Sequence, residues 1–136
     1  MEVIRDHKID IMNISETHLR VGANGDLSSL SNHTLYFKER EGRAKKGGGM
    51  LTIVKQGVNH SRYSPPLPLF PYLDSEREWI PIHEANAQIT VCFVYFAVEI
   101  GGEDFKTWNR ELMAMIQTEL YTLKEQGYCV FIGRKL

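Results

Sequence analysis

The chain has 136 residues, 43% of them hydrophobic and 24% charged, with a formal net charge of -1. That is one domain's worth of ordinary globular sequence. Near-neutral charge gives no global basic field for nucleic acid, and no acidic excess that would mark a solvating tail. No run approaches the roughly 20 apolar residues that a membrane-spanning helix needs, and the charged opening MEVIRDHKID is not a signal peptide. The expected setting is therefore intracellular, nuclear or cytoplasmic, with no membrane partner.

Residues 2–8 read as a short helical piece. The apolar run IDIMNIS (9–15) suits a buried strand. Polar text from Glu16 to His33, with Gly22, Asn24 and Gly25, reads as a loop. HTLYFKER (33–40) and MLTIVKQ (50–56) read as strands, joined by the flexible EGRAKKGGG (41–49). NHSRYSPPLPLFPY (59–72) contains four prolines, which excludes a central strand or a helix interior. It reads as a surface loop, with a polyproline ligand as the alternative. REWIPIHE (77–84) and QITVCFVYF (88–96), joined through Ala85, Asn86 and Ala87, form an expected antiparallel hairpin.

The spacing of Phe105, Trp108, Leu112, Met115, Ile116, Leu120 and Leu123 predicts an amphipathic helix over about 104–126. Asp104 is its expected N-cap and Gly127 its C′ residue. YCVFIG (128–133) reads as a final buried strand. Cys92 and Cys129 sit in apolar runs without a neighbouring Cys/His cluster, so both are expected to be buried free thiols. Together these elements give an α+β chain with a mostly antiparallel sheet and one long amphipathic helix.

Several residues bear on chemistry. Glu16 follows an apolar strand, where a carboxylate on a sheet rim can hold a hard cation; capping a short helix is its bland alternative. Arg43, Lys45 and Lys46, with Lys38 and Arg40, precede three glycines and could contact phosphates; a solvated hairpin loop is the simpler reading. His18, His33, His60 and His83 have no metal-ligand spacing.

Taken in order, the strand ending in Ser15-Glu16-Thr17-His18-Leu19, GGGMLTIV, EWIPI, ITVCFVY, the Trp108 helix and VFIG resemble the endonuclease/exonuclease/phosphatase superfamily. The resemblance spans residues 1–133 and is strongest toward the apurinic-endonuclease-like domains of LINE-type (non-LTR) retrotransposons. Residues 134–136 fall outside it. It implies the first half of a DNase I-like, four-layer α/β sandwich that cleaves phosphodiesters in DNA with magnesium. Glu16 matches the family's metal-binding glutamate. Tyr95 matches the tyrosine placed near the scissile phosphate, although Tyr95-Phe96-Ala97-Val98 stands where relatives read Tyr-x-Pro-Asn.

Two departures follow from that resemblance. Gly133 is followed by Arg134, Lys135 and Leu136 where relatives carry Gly-Asp-x-Asn, and no Ser-Asp-His motif is present. The expectation is a truncated and catalytically inactive domain that exposes an apolar sheet face or strand edge and self-associates. The alternatives are a non-catalytic nucleic-acid-binding or interaction module, and a phosphatase of the same superfamily.

Overall fold

The computed structural model describes residues 10–15, 32–39, 49–84, 87–96 and 105–134. The expected helix at 2–8, the 41–49 loop apart from Gly49, and the Asp104 cap lie outside them. Within them six strands and one α-helix follow in chain order: β1 (Ile11–Ser15), β2 (His33–Lys38), β3 (Met50–Lys55), β4 (Arg77–Glu84), β5 (Ala87–Val94), α1 (Phe105–Glu125) and β6 (Cys129–Arg134).

The strands form two three-stranded sheets, β1-β3-β2 and β4-β5-β6. The first is wholly antiparallel, with β3 central. Its central strand MLTIVK is buried at every position but the last, as a run without polar alternation requires. Leu51 and Ile53 meet Met12, Ile14 and Leu35 on one face. Across the other face Asn13 donates to the Thr52 hydroxyl at 2.8 Å.

In the second sheet β4 and β5 pair antiparallel from Arg77↔Val94 to Glu84↔Ala87. Ala87 thus belongs to the strand rather than to the turn. β5 and β6 pair in parallel, a geometry that needs a crossover, and α1 supplies it. Trp79, Cys92 and Val94 share one face of the sheet and pack with Leu112, Met115, Ile116 and Leu123 of the helix, all buried. The apolar spacing read from the sequence therefore identifies the buried stripe of α1 correctly.

The helix ends in a Schellman motif. Gly127 takes φ +90°, its N–H donates to the Lys124 carbonyl at 3.0 Å, and the Tyr128 N–H donates to that of Leu123 at 3.1 Å.

The proline-rich segment is a loop, but it closes with a 3-10 turn, Pro71–Glu76, that the sequence did not signal. Before that turn, residues 59–63 line the outer edge of β4. Backbone bonds Tyr63 N–H to Trp79 O (3.1 Å), Ser61 N–H to Pro81 O (3.0 Å) and His83 N–H to Asn59 O (2.7 Å) cap that edge. Pro81 is tolerated within β4 because its missing donor forfeits no bond: at that position only its carbonyl is used toward the capping segment.

Two expectations need correction. Cys92 is buried, but Cys129 is exposed. The apolar text of β6 likewise reads as a buried strand, yet Phe131 is 57% and Ile132 48% exposed. Among the described residues β6 pairs only with β5, so it is an edge strand.

Candidate active site at one rim of the two sheets

Register places the strand ends. In the first sheet Ser15, Met50 and Lys38 stand in one row, so β1 and β2 end where β3 begins. In the second, Arg77, Val94 and Arg134 form the equivalent row, so β5 and β6 end where β4 begins. Lys38 joins the two rows. Its ammonium donates to the carbonyls of Arg77 (2.8 Å) and Asp74 (2.9 Å). The C-terminal ends of β1, β2, β5 and β6 therefore meet at a single rim.

Tyr95 follows β5 directly at this rim, and its N–H donates to the Glu76 carbonyl at 3.0 Å. It stands just past the strand, half-buried. β1 delivers the chain to the same rim at Ser15; the next residue, Glu16, lies outside the described residues, as do Arg43, Lys45 and Lys46. β6 brings Gly133 and Arg134 there beside Phe93 and Val94.

The rim is braced by a buried charge network that sequence reasoning missed. Arg77 is fully buried and reaches Glu119 of α1 through two bonds, Nε to Oε1 at 2.7 Å and Nη2 to Oε2 at 2.8 Å. This fork geometry is the strong form of an arginine–carboxylate pair. The Trp79 indole N–H donates to the same Glu119 oxygen at 2.7 Å, and Arg77 also holds Asp74 at 2.7 Å. Burial opposes the Arg77 charge, but Glu119 and Asp74 outweigh it and raise its pKa. Burial also works against Asp74, yet Lys38 and Arg77 hold its carboxyl below the usual range.

Lys38 lies within 3.5 Å of the buried Glu78 carboxylate. Burial pushes its pKa below the lysine value, against the pull of Glu78. Arg62 completes the Glu78 pairing at 2.8 Å and stacks over the Tyr36 ring at 4.9 Å. The Tyr36 hydroxyl meets His60 Nε2 at 2.8 Å, while His60 Nδ1 meets the Val58 carbonyl at 2.8 Å. The carbonyl can only accept, so Nδ1 carries the proton and Nε2 accepts from Tyr36.

Lys38, grouped by sequence with the basic loop, is thus an internal brace with 8% side-chain exposure and is not open to phosphate. Asp74, Glu78 and Glu119 are each committed to a cation. No group of three His, Cys, Asp or Glu among the described residues could hold a metal ion. Nor is any described helix long and apolar enough to cross a membrane. The one sequence signal for the brace was Arg77 with Glu78 at the head of an apolar strand, and it names no partner for either.

The described backbone is similar to a solved structure, the human Nocturnin catalytic domain with bound sulfate anion, at a TM-score of 0.64 and 12% identity. The fold is DNase I-like. The match covers 98% of this chain and 53% of that one, so the chain spans about half the length of that domain. No family model matches the sequence. No curated protein matches it either.

Proposed function

We propose that the chain belongs to the endonuclease/exonuclease/phosphatase superfamily, as part of a magnesium-dependent, DNA-cleaving domain of the retrotransposon type. The observation that carries this reading is the shared rim: the strand leading to Ser15-Glu16, the strand leading to Tyr95 and the strand leading to Gly133 all end there. Those are the three points at which the sequence resembles the superfamily's site. On this reading Glu16 is a magnesium ligand and Tyr95 lies near the scissile phosphate. Magnesium would stabilise the charge that develops on the phosphate.

The chain by itself is inactive on the same reading. Arg134 stands where relatives carry a carboxylate, and a cation there opposes a bound metal ion. Loss of one preorganised stabilising group, such as an oxyanion-hole donor, costs roughly 2.7–4 kcal/mol of transition-state stabilisation. The engagement of Lys38 takes one cation away from the alternative in which the basic loop binds nucleic acid.

Magnesium titration of the purified chain, followed by calorimetry, tests the site. Weak binding that disappears in Glu16→Ala is expected, and binding indifferent to that change would remove Glu16 from the reading. A nicking assay on supercoiled and abasic plasmid tests the inactivity. No cleavage is expected; magnesium-dependent nicking abolished by Glu16→Ala would show that the domain is active as it stands.

A further inference from the structure

The middle of the proline-rich loop, from Ser64 to Leu69, takes no part in the rim, yet its surface is unusual. Tyr63 anchors one end by bridging Trp79 and packing on the helix-side core, and Phe70 packs on the same core at the other end. Between them Pro66 and Leu67 stand out from the protein, Leu67 being 91% exposed and Leu69 54%, while Pro65 and Pro68 are half-buried. A single exposed leucine is ordinary. Here two flank Pro68 in a segment that also contains Pro65 and Pro66, where ring closure has already fixed φ near −65°. Such a segment loses little entropy on adopting the left-handed polyproline helix that aromatic grooves recognise.

The residues before it add a charge at a defined place. Arg62-Tyr63-Ser64-Pro65-Pro66-Leu67-Pro68 puts a cation three residues ahead of a Pro-x-x-Pro unit. A polyproline helix has three residues per turn, so Arg62, Pro65 and Pro68 fall along one edge of it. We propose that residues 62–68 are a docking motif for a polyproline-reading domain of the Src-homology-3 class, one whose aromatic groove is flanked by a carboxylate pocket.

The structure accommodates the exchange this requires. The Arg62 side chain is one-third exposed and held by Glu78 at 2.8 Å. When it turns to a partner's carboxylate, buried Glu78 keeps Lys38 at 3.5 Å and is not left without a cation. The chain bends at Pro66 and Leu67, and docking straightens that bend. The bend lies in a loop outside both sheets, beyond Tyr63, whose N–H bond to the Trp79 carbonyl holds the motif's first residues on the β4 edge.

The test titrates the full chain into an isotope-labelled Src-homology-3 domain that prefers ligands with the arginine at the amino-terminal end. Saturable chemical-shift changes confined to the aromatic groove and the acidic pocket are expected. The double variant Pro65→Ala/Pro68→Ala lowers affinity at least about tenfold, equivalent to about 1.4 kcal/mol. Leu67→Glu does the same through an exposed side chain and melts with the parent, while the double proline variant melts slightly lower because its unfolded chain gains freedom. Absence of any shift change with the parent chain overturns the proposal. So does binding that neither variant weakens, or tighter binding to a proline-reading domain that lacks the acidic pocket. None of these outcomes depends on magnesium or on DNA cleavage.

Discussion

Arg77 shows how a single residue ties distant parts of this chain together. It begins β4, lies wholly inside the protein, and binds Glu119 from α1 and Asp74 from the 3-10 turn. Replacing such a pair with well-packed apolar residues can be neutral, whereas removing one partner strands a buried charge. Glu119→Ala leaves Arg77 paired with the half-exposed Asp74 and removes the acceptor of the Trp79 indole. A loss of about 3 kcal/mol is expected from urea unfolding, near the lower end for breaking a buried pair. The double change Arg77→Met/Glu119→Leu recovers much of it. If Glu119→Ala were neutral, the pair would be contributing nothing to stability. Sequence reading could not find this network. An arginine on a strand reads as a surface residue until its partner is known, and Glu119 lies 42 positions away.

At the scale of elements the sequence was far more informative, because each element announces itself locally. The strand at 77–84 came out with the bounds its residues suggested, and the helix came within one residue at either end. The apolar stripe and the Gly127 terminator are both short-range signals. Gly127 permits a direct measurement. At φ +90° an L side chain is strained, while an added Cβ would meet only the Gln88 amide oxygen at 3.7 Å. The cost of Gly127→Ala is thus almost purely conformational, about 1 kcal/mol, and Gly127→Asn costs less because asparagine tolerates this region better. Urea midpoints that shift for Ala more than for Asn, with an unchanged slope, are the expected result. What stayed hidden was burial that depends on neighbours in space. YCVFIG has the composition of an inner strand, but no local pattern reveals that only β5 pairs with it among the described residues. The candidate site divided in the same way. The strands ending at Ser15, Val94 and Arg134 were legible, whereas their meeting at one rim needed the register and the Lys38 link.

Among the described residues the second sheet has one side that packing does not finish. α1 covers one face of the second sheet, where Trp79 and Cys92 are fully buried. The opposite face includes Val91 and Phe93, each half-buried, with the exposed Phe131 of the outermost strand beside Val91; Ile132, also about half exposed, lies beside Cys92 on the helix side. A strand with exposed apolar side chains and open backbone groups is a template for further pairing. Natural edges are commonly protected by lysine, and the described part of β6 has none before Arg134. The expected behaviour is concentration-dependent self-association, measured by sedimentation velocity. Phe131→Lys places a charge on the edge at a side chain that is 57% exposed, so little packing is lost and the fold is retained. That variant shifts the chain to monomer and raises its solubility, while its circular dichroism stays that of the parent. Glu at the same position has the same effect, since the mechanism is unfavourable burial of a charge between paired strands. If the parent chain is monomeric at high concentration, the β6 edge and the face beside it do not drive assembly, and the apolar side chains there are tolerated in water.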